Sequence, residues 1–439
     1  MSVQLLSIAA LVAVFVISTV FNVHMGALAF VATFVVGVGL ADLSEKEIIA
    51  GFPAGLFVIL VGVTYLFAIA KANGAIDWLV DTAVTLVRGR VWAFPWIMFA
   101  LAAFLAGIGA VPPAAVAIIA PTAMRLAHRY GISPLLMGLM IANGVSAGEF
   151  SPIGLFGIIV NDVAASNGVA SSPILLFISC FVVNAVMCYL LCVVINRRAG
   201  GRRLQGGADE TVTGTGGPTP RSGDTVVRAV DVTDVALAVR PPMTRAVATT
   251  LAGLAVMVGI VACTSLDIGF VAMTLAVILG IQSPEAAKEA LPKIAWASVF
   301  LIVGIVTYVS LLEKLGTVTY VSDAVAHLRS PLLIALLICV IAAVVSAFAS
   351  TTGILGALVP LAVPFLLAGE VSSVAMIIAL SLSSSIVDAS PFSTSGALVV
   401  ANAAEEDRDR LMSQLLRWGV AMMVVAPLMA WTIFVLPGW

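Results

Sequence analysis

Two acids, Glu149 and Asp388, stand inside runs that are otherwise apolar, and no other acid is so placed. An ionisable group at bilayer depth is costly and is functional by default. It can ligate a cation, carry a proton, or cap amides freed by a broken helix. Both acids keep the same company. Glu149 lies in Asn143 to Gly154, NGVSAGEFSPIG, and Asp388 in Ser381 to Gly396, SLSSSIVDASPFSTSG. The pairs Ser151-Pro152 and Ser390-Pro391 are 239 positions apart, as are Glu149 and Asp388, and Gly157 and Gly396. A continuous helix through either stretch is costly, because Gly is a poor helix former and Pro lacks the N–H. In lipid, broken backbone survives only where protein or a water path encloses it. Matching interruptions in two halves of a chain point to a transporter's binding site.

Oxygen donors fall around these breaks. The tip of a second-half hairpin reads Ser350-Thr351-Thr352-Gly353. Hydroxyls and free amides at a half-helix start suit a carboxylate, which makes Ser350, Thr351, Thr352, Ser151, Ser390, Ser393 and Thr394 candidate substrate contacts. Pro112, at the corresponding first-half tip, joins them as a helix start. Carbonyls freed at the breaks and side-chain oxygens suit a hard cation such as sodium. The candidate ligands are Asn143, Ser146, Glu149, Ser350, Asp388 and Ser395. For any one serine, packing at a helix interface is the plainer role.

The elements that position these residues follow from composition. The chain has 439 residues, 61% hydrophobic and only 10% charged, with a net charge of −2. Soluble domains carry about 25% charged residues. This predicts an all-α polytopic membrane protein with no nucleic-acid partner. No protease or hydrolase motif is present, and the three histidines lie near span ends, so no enzyme is expected. The five cysteines all sit in apolar runs and read as small buried residues.

In the first half, spans are predicted over 2–21, 25–40 and 54–70, then an amphipathic helix over 71–90. The run 91–124 has basic flanks on both sides, Arg88 and Arg90 before and Arg125 and Arg129 after, and its centre is GIGAVPP. The positive-inside rule puts both flanks in the cytoplasm. That makes 91–124 a re-entrant hairpin, or else two short tilted spans. The broken span 134–160 and a span over 173–195 complete a first repeat, 1–198. Residues 199–242 are polar and rich in Gly, Thr and Pro, a flexible cytoplasmic linker by composition. The second repeat, 243–439, has spans over 247–262, 268–281 and 295–312, a hairpin over 331–367, a broken span over 374–400 and a last span over 418–436. Ser283 answers Ser44 and Pro360 answers Pro121, while Gly304, Gly316 and Asp323 answer Gly62, Gly74 and Asp81. Each half has five crossings and a hairpin, so the two repeats must be inverted. The total is about ten spans and two hairpins.

Several stretches resemble the MatC-type malonate and dicarboxylate carriers, of the larger ion-transporter superfamily that includes the divalent anion/sodium symporters. They are MGALAF at Met25 to Phe30, AGFP at Ala50 to Pro53, VTYLFAIA at Val63 to Ala70, IDWLV at Ile76 to Val80, PAAVAI at Pro113 to Ile118 and FSPI at Phe150 to Ile153. The resemblance implies sodium-coupled uptake of a small dicarboxylate, malonate or a C4 acid. It also implies an elevator-type movement and a homodimer in the inner membrane. The symporters carry a Ser-Asn-Thr triplet at each hairpin tip; here the second tip has Ser350-Thr351-Thr352 and the first has no hydroxyl. A cation/proton antiporter of the same superfamily, with Glu149 and Asp388 as proton carriers, is the competing expectation.

Overall fold

A computed structural model describes residues 3–21, 23–86, 91–205, 243–264, 266–317, 320, 330–348, 351–367 and 371–438. The linker beyond 205, Arg88, Arg90, Asp323, His327, Arg329, Ser350 and Glu370 lie outside the described residues.

Among the described residues every regular element is helical. The first half runs α1 (Val3–Phe21), α2 (Met25–Gly39), α3 (Glu45–Ile49), α4 (Ala54–Ala72), α5 (Ala75–Leu86), α6 (Phe94–Gly107), α7 (Pro112–Arg129), α8 (Pro134–Gly148), α9 (Leu155–Ser166) and α10 (Pro173–Gln205). The second runs α11 (Arg245–Cys263), α12 (Ile268–Gln282), α13 (Pro284–Ala290), α14 (Trp296–Lys314), α15 (Pro331–Phe348), α16 (Thr351–Leu367), α17 (Ser373–Ser385), α18 (Thr394–Ala401) and α19 (Glu405–Ala430). The order of the first half thus recurs. α4 and α14 even end alike, on Gly74 (φ 81°) and Gly316 (φ 66°), the left-handed glycine that stops a helix.

The halves interlock rather than sit side by side. α2 packs on α14, and α12 on α4. Each seam is a glycine contact: a Cβ on Gly304 would lie 2.3 Å from the Gly26 carbonyl, and one on Gly62 2.5 Å from the Gly269 carbonyl. With lipid as apolar as leucine, such close backbone approach is what holds helices together in a membrane.

The hairpin α6–α7 and the broken span α8–α9 form one packed unit, and α15–α16 with α17–α18 form another. Their bases lie at opposite ends of α19. Near its start, Glu406 pairs with His128 at the end of α7, Nδ1–Oε1 3.5 Å. Just past its end, Trp431 Nε1 donates to the Leu332 carbonyl at the start of α15, 2.8 Å. The 26 residues between span about 39 Å, enough to cross a bilayer. A third tie agrees: Ser373 Oγ at the start of α17 donates to the Ala170 carbonyl in the α9–α10 loop, 3.1 Å. Among the described residues five helices have the length and composition to cross a membrane, and eight shorter apolar helices accompany them. The window 373–401 is 83% buried and that of α10 only 17%, so the broken span is central and α10 peripheral.

Four boundaries depart from the sequence expectation. α10 continues to Gln205, past 195 and into the segment read as linker. α19 starts at Glu405, not near 418, with Glu405, Glu406 and Asp407 favourably placed in its first turn. Polarity marks where a helix leaves lipid, not where it ends. Lys71 closes α4, and the amphipathic helix begins only at Ala75, buries Ile76 and Val80 and leaves Asp81 outward. The short helix α3 was legible and missed: Ser44 and Glu47 form a capping box, with Ser44 N donating to Glu47 Oε2 at 2.8 Å.

Candidate functional site

The two breaks are built alike. α8 ends at Gly148, and Ser151 Oγ reaches back to the Gly107 carbonyl at the end of α6, 2.5 Å. In the second half a 3-10 turn, Ile386–Ala389, follows α17, and Ser390 Oγ reaches the Ala347 carbonyl in α15, 3.4 Å. Each Ser-Pro serine thus satisfies a carbonyl left over at its hairpin's first arm. The chain then folds tightly over the next half-helix. A Cβ on Gly157 would lie 2.0 Å from the Ser151 carbonyl, and one on Gly396 1.9 Å from the Ser390 carbonyl. Only glycine fits at these matching positions.

The breaks meet each other. Ser146 Oγ donates to the Ser385 carbonyl, 3.3 Å, and these residues are themselves 239 apart. Equivalent positions therefore touch where the two broken spans pass. The second hairpin joins them: Ser346 Oγ donates to the Ser384 carbonyl, 2.7 Å, and shares a hydrogen bond with Thr351 Oγ1, 2.8 Å.

The two acids differ sharply in their surroundings. Asp388 is partly buried, and its carboxylate accepts from Ser395 Oγ at 3.4 Å and from the hydroxyls of Thr351 and Ser393. Ser393 also caps α18, accepting from Gly396 N at 3.0 Å, and touches the Asp388 and Ser390 carbonyls. Glu149 is fully buried, and neither Oε1 nor Oε2 has a hydrogen-bond partner among the described residues. It lies within electrostatic reach of Asp388. Ser381 Oγ and Ser385 Oγ are also buried without a partner.

Of the candidates read from the sequence, the structure brings together Ser146, Glu149, Asp388, Thr351, Ser393 and Ser395. Asn143 is buried in α8, but its Nδ2 is spent on the Leu139 carbonyl one turn back, 2.8 Å. Ser151 and Ser390 serve the hairpin arms. Thr394 is exposed and stands apart from the group. The side chain of Thr352, like Ser350, lies outside the described residues. Pro112 is buried at the first tip, where Pro112 and Pro113 have no N–H and Ala114 and Ala115 both donate to the Val111 carbonyl, 2.9 and 3.1 Å. Apart from the Val111 N–H, that helix start offers no amide to an anion, and the expectation of a substrate contact at Pro112 itself is left with its carbonyl and ring carbons. Ser346, Ser381, Ser384 and Ser385 were missed. The 239 offset from Ser146 would have found Ser385; an isolated serine in the apolar run of α15 gave no signal for Ser346.

A charged carboxylate with no donor, away from water, costs several kcal/mol. The arrangement therefore calls for one positive charge at Glu149, from a proton or a cation. Where the breaks cross, the donors at hand are oxygens, the Ser146 hydroxyl and the Ser385 carbonyl among them, which suits a hard cation.

Residues 1–149 match the family model described as the dicarboxylate carrier protein MatC N-terminus, which bears out the resemblance over that third of the chain. No curated protein sequence matches. Among solved structures, the YdaH transporter of Alcanivorax borkumensis shares the fold, with a TM-score of 0.58 at 14% identity over 98% of each chain. The carrier-family match covers the first third, and the likeness to the YdaH transporter is one of fold over nearly all of the chain; with the apolar helices described above, this is a multi-pass membrane protein.

Proposed function

We propose that this chain is a secondary active transporter that takes up a small dicarboxylate, malonate or a C4 acid, together with sodium, across an inner membrane. The observation that carries the coupling is Glu149, buried with both oxygens unpartnered beside Asp388. Binding a cation there neutralises the carboxylate and lowers repulsion at a site that must also admit a dianion. Substrate then has the second tip and the breaks as its source of hydroxyls and amides. The likeness of residues 1–149 to a dicarboxylate carrier supports the substrate class. The opposed hairpin bases and the recurring helix order support two inverted repeats, 1–198 and 243–439, with ten spans and two re-entrant hairpins. On this reading the packed hairpin and broken-span units move against the α2–α14 and α4–α12 pairs as an elevator. The exposed apolar face of α10 is available to lipid or to a second copy in a homodimer.

A second reading shares the same observation. A carboxylate without donors suits a proton as well as sodium, so a cation/proton antiporter would also use Glu149 and Asp388. Counterflow in proteoliposomes separates the two. Labelled malonate or succinate should exchange in sodium and not in potassium. Cation-driven proton movement with no dicarboxylate exchange selects the antiporter and removes the first reading.

A further inference from the structure

A cleft of about 470 Å³ lies against the tip of the first hairpin, and it contains two lysines. One wall is a single face of α4, with Thr64, Phe67 and Ala68 leading down to Lys71. The tip supplies Gly109 and Val111, and the connection into α14 supplies Lys293. No acid lines this space. Lys71 is half-buried and makes no hydrogen bond or ion pair among the described residues. Lys293 Nζ holds Glu289 Oε1 at 2.5 Å, but both side chains are about half exposed, 51% and 58%, which leaves the pair open to exchange.

We propose that this cleft is an anion-binding waypoint, where Lys71 and Lys293 hold a small dicarboxylate between the aqueous face and the first tip. The inference rests on the dicarboxylate reading above and adds a site to it. Three features converge. The first tip has no hydroxyl, and Val111 carries its one amide without a partner among the described residues, so an anion approaching it needs charge from elsewhere. Two ammonium groups line the one space, and a diacid brings two carboxylates. The space is larger than a three- or four-carbon diacid, as a passage must be, and lies in the range of ligand clefts. Lys71 closes α4 and Lys293 precedes α14, so both sit at one end of these helices. The basic flanks of the first hairpin assign that end to the cytoplasm. Glu289 then acts as an internal competitor for Lys293, displaced when substrate arrives. Lysines that merely snorkel to an interface would be interchangeable with other polar residues.

The full chain in proteoliposomes of defined orientation provides the test, with malonate and succinate as probes and Michaelis constants measured from each face. Lys71→Gln and Lys293→Gln should each raise the constant at the cytoplasmic face about three- to tenfold, the scale of a partly screened ion pair. The external constant should change little, which also shows that the variants fold. Glu289→Gln should lower the cytoplasmic constant by freeing Lys293, and Lys71→Arg should restore the parent value. High salt should erase these differences. If both glutamine variants match the parent at the cytoplasmic face while transport persists, the waypoint is wrong and the transporter reading stands. If the parent moves neither diacid from either face, both fall.

Discussion

Glu149→Gln isolates the charge at the meeting of the two breaks. The change keeps the shape of the side chain and removes its demand for a cation. A carboxylate contact to a bound ion is charge-assisted and is worth about 1.5–3 kcal/mol, so its loss weakens sodium binding roughly 10- to 150-fold. At a sodium concentration 100 times the parent's dissociation constant, linkage stabilises the parent by about 2.7 kcal/mol. The same concentration should stabilise the variant by only about 0.3–1.4 kcal/mol. Without sodium the order reverses or levels, because the variant no longer buries a carboxylate that lacks donors. Cys180, Cys188 and Cys339 are buried and free, so a thiol-reactive dye reports unfolding of the core directly. Melting curves in sodium and in choline, with and without malonate, give the four values required. A variant that keeps the parent's full sodium-dependent shift would remove Glu149 from the cation site. A parent with no sodium shift, whose pH-dependent uptake flattens in the variant, would turn the choice to the proton reading.

Gly157→Ala and Gly396→Ala should each abolish folded protein on size exclusion, since their Cβ atoms would lie 2.0 and 1.9 Å from carbonyl oxygens, whereas Gly259→Ala, with nothing within 4 Å, should be silent. Single cysteines at His128 and Glu406 should be labelled from one face of the membrane, and those at Ala170 and Ser373 only from the other; shared labelling would undo the opposed hairpins. Thr351→Ala removes a hydroxyl that serves both Ser346 and Asp388, and should weaken sodium or substrate binding at least about tenfold. Val111→Ala at the first tip should cost far less in the same uptake assay, and equal losses would show that the two tips are not distinguished by their hydroxyls.

Much of the fold was legible because lipid enforces it. Apolar runs and basic flanks located the hairpin 91–124, and the 239 offset aligned breaks whose glycines prove to be sterically required. Helix ends in water were less legible. Arg and Glu continue a helix as well as apolar residues do, so α10 and α19 overran their apolar cores. Within the site, the sequence placed both acids but gave them one environment. What separates Glu149 from Asp388 is tertiary: the hydroxyls of Thr351, Ser393 and Ser395 all turn to Asp388, and none reaches Glu149. Lys71 and Lys293, 222 positions apart, share a cleft only because α4 packs beside the α13–α14 connection.

The two halves divide the work at the site. The second supplies most of the side-chain donors, Ser346, Thr351, Ser390, Ser393 and Ser395, against Ser146 and Ser151 of the first. Ser393 replaces a direct bond of the first half, in which Gly157 N donates straight to the Glu149 carbonyl, 2.9 Å. That added hydroxyl, with Ser395 and Thr351, gives the Asp388 carboxylate hydrogen-bond donors that Glu149 lacks. The first half has Val111, Pro112 and Pro113 at its tip, and its acid has no donor among the described residues. A symmetric pair of supported carboxylates would hold two permanent negative charges where a dianion must pass. On the sodium-coupled reading proposed above, one supported and one bare acid leave a single charge to be neutralised each cycle, and a coupling of one cation at Glu149 is the expected outcome. A measured stoichiometry of two cations for each uncompensated charge at this acid pair would show that a further cation site lies elsewhere, and the oxygen-rich α17, with Ser381 and Ser385 unpartnered, is where it should be sought.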